Sequence, residues 1–219
     1  MRYRVSGNGE WGMGNREWES EKWNLGVPHK SENCYIQKNR ENMQIREALD
    51  SDLTDVLSIE RAAFGEEDEA ELVQNLLNDS SAQPLLSLVA FQDDRPVGHI
   101  LFSKAHLSNN PTISIAILAP LAVIPEAQKQ GIGGKLIERG MQLLSQSGVD
   151  LVFLAGYPSY YTRHGFQPAS PLGLEPTYPM PEEYPDAWMV RALRPDILGS
   201  VSGKVICADA LNKPEYWRE

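Results

Sequence analysis

The chain has 219 residues, which suffices for one domain because domains commonly hold about 100 to 200 residues. Its 42% apolar and 23% charged residues are typical of a globular protein, and its longest apolar run, residues 113–124, falls short of the roughly 20 residues that a membrane helix needs. The formal net charge of −10 disfavours a nucleic-acid binder, since phosphate binding depends on clustered Lys and Arg.

Residues 1–42 differ in pattern from the rest of the chain. They contain three tryptophans among Gly, Asn, Glu and Lys, without the apolar period of a strand or a helix, and we expect a polar, disordered N-terminal extension. At Met43 the pattern changes to strand-like alternation, so the folded domain is predicted to cover residues 43–219. This part carries 13 basic and 24 acidic residues, which places the acidity of the chain in the domain.

The first half of the domain predicts one strand, two helices and a hairpin. Residues 43–46 alternate like a strand, and residues 50–52 offer N-cap oxygens to a helix. Two amphipathic helical stripes follow, separated by a glycine. Residues 86–91 and 97–102 are β-type runs on either side of the turn-forming residues 93–96, and they predict an antiparallel hairpin.

The second half predicts a parallel crossover and two closing strands. Its segments are a strand at 113–124, a helix at 133–147, a strand at 151–154, a short helix at 157–163 and strands at 188–193 and 204–208. Residues 171–185 contain five prolines and are expected to be irregular. Because strand, helix and strand in succession give parallel pairing, the sheet is predicted to be mixed.

Pro120 lies inside the apolar strand that precedes the long helix. Proline lacks an N–H group and is confined to strand edges and bulges, so Pro120 predicts a local break in strand pairing. Such a break leaves backbone groups of the strand available to a ligand.

A glycine-rich turn joins this strand to the helix. Gly131, Gly133 and Gly134 allow a close approach of the main chain, and the helix start presents unsatisfied N–H groups and a positive dipole end. These features predict a phosphate-binding cradle. A Walker A loop is excluded because Leu136 stands where Ser or Thr is required, and the same residue excludes the last glycine of a dinucleotide fingerprint.

Residues 128–133, Gln-Lys-Gln-Gly-Ile-Gly, satisfy the pattern Q/R-x-x-G-x-G/A, and the chain resembles the GCN5-related N-acetyltransferases (GNAT) over about residues 43–210. Its Leu-Ala-Pro-Leu-Ala-Val run and its Tyr-Tyr-x-Arg-x-Gly-Phe motif resemble the YhbS-like branch of predicted acetyltransferases. The resemblance implies an α/β fold with a mixed, mostly antiparallel central sheet, a splayed strand pair and flanking helices. It also implies acetyl-CoA as acyl donor, held by Leu121, Ala122, Val123, Gln128, Lys129, Gln130, Gly131, Ile132, Gly133 and Gly134.

The resemblance further implies that Tyr161, four residues before Gly165-Phe166, is the general acid that protonates the departing CoA thiolate. A phenol with a pKa near 10 can stabilise a leaving thiolate whose parent pKa is near 8.5. Two alternatives stay open. Tyr161 could serve only in packing, and the neighbouring Tyr160 could be the acid.

The general base is not identified by the sequence. Direct transfer needs a neutral amine, whereas an alkyl amine with a pKa near 10.4 is almost wholly protonated at pH 7. Some relatives carry a Glu on the splayed strand, but the corresponding positions here are Thr112, Ser114 and Ala116. This departure leaves the proton acceptor open.

Other acidic and imidazole groups are candidates for this role. Glu66 and Glu67, in the acidic loop between the first two helices, are predicted to bind a cationic acceptor or to relay a proton, with helix capping and solvation as the alternative. His99 and His106 are further candidates for the base. Cys207 lies among apolar residues and is expected to pack rather than to carry an acyl group.

The sequence therefore predicts an N-acetyltransferase that moves an acetyl group from acetyl-CoA to a primary amine by direct attack. The alternative is a non-catalytic acyl-CoA-binding sensor or interaction module. We expect a small-molecule or peptide amine acceptor, no nucleic-acid or membrane partner, and a monomer or homodimer. With only two distant cysteines and no secretory signal, we also expect no bound metal and a cytoplasmic location.

Overall fold

A computed structural model of the chain describes residues 43–217. The predicted N-terminal extension, residues 1–42, lies outside the described residues. The strands are β1 Met43–Glu47, β2 Leu86–Gln92, β3 Arg95–Leu107, β4 Asn110–Val123, β5 Leu151–Ala155, β6 Gln167–Pro168, β7 Leu174–Glu175, β8 Trp188–Ala192 and β9 Gly203–Ile206. The α-helices are α1 Leu53–Phe64, α2 Asp68–Asn78, α3 Ile132–Gln146 and α4 Pro158–Tyr161.

The strands form a mixed sheet in the order β1-β2-β3-β4-β5-β8-β6. Along this path every neighbouring pair is antiparallel except β4 and β5, which are parallel. The prediction of a mixed, mostly antiparallel sheet is confirmed. The last strand, β9, does not extend the sheet next to β8. It pairs with the end of β3 and with β7 instead.

The parallel pair separates after a short stretch. β4 and β5 are in register only from Ile115 opposite Leu151 to Ile117 opposite Phe153. β4 then continues to Val123 paired only with β3, and its register against β3 shifts around Ala119 and Pro120. The predicted break at Pro120 is confirmed, and the two strands open into a gap beyond Ile117 and Phe153, which we call the β4–β5 gap.

Helices cover the sheet on its two faces. Helix α3 covers one face, where a methyl group added at Gly98 of β3 would lie 3.1 Å from Leu136 and 3.2 Å from Ile132. Helix α1 packs against β3 and β4 on the other face, with α2 beside it. Because alternate residues of a strand point to opposite faces, β3 sends Gly98 to the α3 face and His99 to the α1–α2 face.

Three local features differ from the sequence-based expectations. β3 extends well past residue 102 because its second half pairs with both β4 and β9. Within the proline-rich segment, Leu174–Glu175 forms a short strand. Asp52 does not cap α1 with its side chain; its carboxylate accepts hydrogen bonds from Arg46 and from the Leu49 backbone N–H instead.

Candidate functional site

The turn between β4 and α3 brings the predicted glycines to the open edge of β4. Lys129 and Gly131 have φ angles of +63° and +79°, and this left-handed backbone reverses the chain just before α3 begins at Ile132. The first N–H groups of a helix have no partner within it, so those of Ile132, Gly133 and Gly134 face the mouth of the turn. We call residues 121–123 and 128–134 the cradle.

Side-chain amides hold the turn in shape. Gln128 Nε2 donates to the Val123 carbonyl at 3.0 Å, and Gln130 Nε2 donates to the Glu126 carbonyl at 3.1 Å. The Ile132 side chain is buried in the core. Gln128 and Ile132 are both predicted to bind the cofactor. Their side chains hold the main chain of the cradle in position.

Tyr160 projects its hydroxyl over the first turn of α3. A Cβ atom added at Gly133 would lie 2.7 Å from this hydroxyl and 3.8 Å from the side chains of Leu121 and Val123. Arg163 stacks over the Tyr160 ring, with its guanidinium carbon 5.0 Å from the ring centroid. The absence of a side chain at Gly133 thus keeps the phenol and the two β4 residues close to the helix start.

Tyr161 occupies a different place, against the end of β5. Its ring meets the rings of Tyr160 and Phe166 edge-on, at centroid distances of 4.9 Å and 5.8 Å. A Cβ atom at Gly156 would overlap this ring, so the glycine that follows β5 is required for the packing. Burial raises the pKa of the Tyr161 phenol, which stays protonated at neutral pH. Within residues 43–217 its hydroxyl makes no hydrogen bond.

A cleft of about 450 Å³ opens beside the cradle, between the start of α3 and α4. Its lining residues are Gly131, Gly134, Lys135, Glu138, Tyr160, Arg163 and His164. Glu138, the acidic member of this lining, lies 3.2 Å from Arg191, which compensates its charge. Burial lowers the pKa of His164. Lys135 and Arg163 therefore make the cleft favourable for an anion.

Lys129, Lys135 and Arg139 are the cationic side chains next to the turn in the sequence, and the structure brings one of them into the cleft. Lys135 lines it, whereas Lys129 is not among its lining residues and Arg139 donates to Gln142 at 2.7 Å. Arg163 and His164 were missed as lining residues, although both lie inside the motif that identified Tyr161. Their position two to three residues before the end of that motif does not indicate that they line the cleft beside α3.

The acidic loop between α1 and α2 is exposed. Glu67 accepts from Arg61 Nε through both carboxylate oxygens, at 2.6 Å and 2.9 Å. Its charge is therefore largely compensated by Arg61, while Glu66 lies at the exposed start of the same turn.

A buried polar cluster lies beneath α1 and was not predicted as a unit. His99 Nδ1 lies 2.5 Å from Glu60 Oε1, and His99 Nε2 lies 2.9 Å from Ser87 Oγ. The side chains of Glu60 and His99 are both fully buried. Burial raises the pKa of Glu60, the bond to His99 opposes this, and the charge of the nearby Glu69 adds to the rise.

His106 and Cys207 are the remaining candidates from the sequence. His106 is exposed on β3, opposite Ile206 of β9. Cys207 is buried, and burial raises the pKa of its thiol, so it is not a reactive thiolate. Glu60 could have been suspected from the sequence, because it falls within the apolar stripe of α1 between Ile59 and Ala63.

Two further properties of residues 43–217 bear on the chemistry. None of their helices is both long and apolar enough to cross a membrane. In this same part of the chain, no group of three or more His, Cys, Asp or Glu side chains is arranged to hold a metal ion.

Comparisons with known proteins give a consistent result. A family model of the acetyltransferase (GNAT) domain matches residues 44–169. Over 161 residues the chain is 44% identical to the uncharacterized N-acetyltransferase YjhQ of Escherichia coli K12, a match that covers 73% of this chain and 88% of YjhQ. It is 30% identical over 172 residues to the uncharacterized N-acetyltransferase YhbS of the same strain, covering 78% of this chain and 99% of YhbS.

Solved structures agree with the sequence relatives. The crystal structure of YhbS from Escherichia coli in complex with CoA superposes with a TM-score of 0.72 at 27% identity, covering 84% of this chain and 97% of the other. A GNAT family acetyltransferase from Brucella melitensis in complex with acetyl-CoA superposes with a TM-score of 0.63 at 28% identity, covering 78% and 99%.

Proposed function

The chain belongs to the GNAT acetyltransferase family, and on that premise we propose that it transfers an acetyl group from acetyl-CoA to a primary amine by direct attack. The observation that carries this proposal is the cradle, in which an open strand edge leads directly into a helix start with unpaired N–H groups. Such a helix start favours an anion through its N–H groups and its dipole.

The cofactor is assigned to the cradle and the cleft beside it. The main chain of Leu121, Ala122 and Val123 would pair with the amide-bearing pantetheine arm, because β4 has no strand partner on the β5 side there. The N–H groups of Ile132, Gly133 and Gly134 would bind the diphosphate. Lys135 and Arg163 would face the remaining phosphate of the nucleotide end in the cleft.

The two adjacent tyrosines receive different roles. Tyr160 reaches the start of α3, where its hydroxyl would donate to the diphosphate or the nearby pantetheine. Tyr161 lies at the end of β5, beside the β4–β5 gap into which the thioester would extend, and we assign it as the general acid. Burial raises the pKa of the departing thiol as it does that of the phenol, so the buried Tyr161 would still donate its proton to the leaving sulfur.

The acceptor is proposed to be a cationic amine. The domain has an excess of acidic residues, and its net negative charge would attract an ammonium group before it enters the gap. Glu67 adds little to this attraction, because Arg61 compensates its charge. Charge does not distinguish an amine of a small metabolite from an amine of a peptide. The proposal therefore includes both kinds of acceptor.

Release of free thiol from acetyl-CoA tests the activity. The full chain is supplied with acetyl-CoA and a panel of primary amines, including polyamines, amino acids, aminoglycosides and basic peptides, and thiol is followed by a chromogenic disulfide. We expect thiol release that depends on at least one amine. Binding of acetyl-CoA without thiol release for any acceptor would favour a non-catalytic acyl-CoA sensor, which the absence of a carboxylate at Thr112, Ser114 and Ala116 permits.

A further inference from the structure

The buried polar cluster on the α1–α2 face joins four elements. Glu60 comes from α1, Glu69 from α2, Ser87 from β2 and His99 from β3. Neutral imidazole donates from one ring nitrogen and accepts at the other, so His99 can donate to Glu60 and accept from Ser87 at the same time. Both nitrogens of His99 are thereby used within the cluster.

The cluster lies one strand away from the β4–β5 gap. His99 is directly opposite Ala122 in the β3–β4 register, and residues opposite each other in antiparallel strands point to the same face. Ala122 belongs to the part of β4 that β5 does not pair with, and its side chain is a single methyl group. At this position β4 therefore contributes only a methyl group beside the imidazole.

Glu60 is not satisfied by its partners. Its Oε1 contacts His99, but its Oε2 is buried and has no hydrogen-bond partner within the described part of the chain. A buried carboxylate oxygen without a partner is destabilising, and such groups in native proteins call for an explanation. Oε2 therefore has a hydrogen-bonding capacity that the described side chains do not use.

We propose that Glu60 Oε2 accepts, through one water molecule, the proton that the acceptor amine must lose before it attacks, and that His99 is the positioning residue that holds this carboxylate. The proposal rests on the proposed function. It assigns the missing base to the face of the sheet opposite the cradle, in place of the carboxylate that β4 lacks.

The proton balance of the reaction is then complete. The ammonium group gives one proton to Glu60, and the neutral amine forms its N–C bond as the C–S bond of the thioester breaks. The thiolate takes the proton of Tyr161, and the second proton lost from nitrogen restores the phenol. The proton on Glu60 passes to bulk water, past Glu69, which is the less deeply buried carboxylate of the two.

The test compares two amines of similar size that differ in protonation. Ethylamine is an ammonium ion at pH 7, whereas 2,2,2-trifluoroethylamine is mostly neutral and needs no base before attack. Glu60→Gln should lower kcat/KM for ethylamine about 100-fold and change it less than about 3-fold for the fluorinated amine. The control, Glu71→Gln, removes an exposed carboxylate from α2 and should leave both values unchanged.

Equal losses with the two amines, or no loss, would overturn the role of Glu60 while leaving the proposed function intact. A wild-type chain that binds acetyl-CoA but turns over neither amine would contradict the proposed function itself.

Because Glu60→Gln changes a buried group, the wild-type pH profile provides a second test that needs no variant. With Glu60 as acceptor, kcat/KM for ethylamine levels off at a pH well below the pKa of the amine, since the enzyme then removes the proton. The titratable groups that face Glu60 are His99 from β3 and Glu69 from α2. These two groups determine the pH at which kcat/KM levels off. A continued rise up to the pKa of ethylamine would overturn the proposal.

Discussion

The two faces of the sheet build their parts of the site by different means. On the α3 face the cradle comes from one continuous strand, turn and helix start, and its proposed contacts with the cofactor are made largely by main-chain groups. On the α1–α2 face the polar cluster joins side chains from four separate elements. Changes on the first face should therefore alter cofactor binding, whereas changes on the second should alter acceptor chemistry or stability.

Glycine positions at the two ends of α3 give the largest expected contrast. Gly131 and Gly148 have the same φ of +79° and open space around them, so a side chain is strained at both by a similar amount. Gly131→Glu adds a negative charge at the proposed diphosphate site and should weaken acetyl-CoA binding about 100-fold or more. Gly148→Glu should destabilise the fold comparably and leave binding unchanged.

Isothermal titration with acetyl-CoA and thermal unfolding of both variants measure these effects. Equal loss of binding in the two variants would mean that α3 is perturbed generally and that the cradle has no special role.

The adjacent tyrosines should separate binding from turnover. Tyr161→Phe removes the proposed acid and should lower kcat about 100-fold with little change in acetyl-CoA affinity. Tyr160→Phe should instead weaken acetyl-CoA binding about 10-fold, the usual effect of losing one hydrogen bond to a charged group. Steady-state kinetics and titration calorimetry distinguish the two; the reverse pattern would make Tyr160 the acid.

Two overpacking changes give a smaller contrast. Gly140→Ala would force a methyl group into the ring of Phe102, in the core beneath α3, and Gly156→Ala would do the same to Tyr161. Each should cost about 1–3 kcal/mol of unfolding free energy. Only Gly156→Ala should also lower kcat, by about 10-fold, because it displaces the proposed acid, Tyr161. Denaturant unfolding and initial rates are the measurements, and an equal fall in kcat would contradict the placement of Tyr161.

The smallest effect is expected from ion pairs on the α1–α2 face. Arg46 and the Leu49 N–H lower the pKa of Asp52 to about 2, below its value near 4 in the unfolded chain. The ionised Asp52 therefore stabilises the fold fully above pH 4, and this stabilisation is lost as the pH falls from 4 to 2. Asp52→Asn should cost about 1–2 kcal/mol at pH 7, and this difference should vanish near pH 2.

The exposed pair of Arg61 and Glu67 provides the comparison for that measurement. Glu67→Gln should cost less than about 1 kcal/mol at any pH, because surface ion pairs contribute little. Urea unfolding between pH 2 and pH 7 measures both variants. A pH-independent effect of Asp52→Asn would contradict the lowered pKa.

The difference between the two faces also explains which parts of the fold and of the site could be predicted from the sequence. Strand alternation, helical stripes and turn residues are local signals, and they predicted the element order and the mixed sheet. The geometry of the turn before α3 could be predicted for the same reason, since Gly131, Gly133 and Gly134 are close in sequence, whereas its binding of the cofactor stays a prediction. Pro120 likewise predicted the register shift that the structure contains.

The remaining features depend on contacts between distant residues. Nothing local indicates that Glu60 meets His99, because 39 residues separate them and each lies in an otherwise apolar pattern. The division between Tyr160 and Tyr161 likewise depends on Gly133 and Gly156, which only the fold brings beside their rings. The pairing of β9 with β3 and β7 is equally non-local.

Binding of acetyl-CoA in the cradle is measured most directly by isothermal titration calorimetry of the full chain with acetyl-CoA and with S-acetylpantetheine, which lacks the diphosphate. If the main-chain N–H groups of α3 bind the diphosphate, one acetyl-CoA should bind per chain. Its Kd should lie between roughly 1 μM and 1 mM, the range of KM values usual for enzyme substrates. Binding through the diphosphate also predicts that S-acetylpantetheine binds at least about 100-fold more weakly. Equal affinity for the two compounds, or no binding of acetyl-CoA at millimolar concentration, would contradict it.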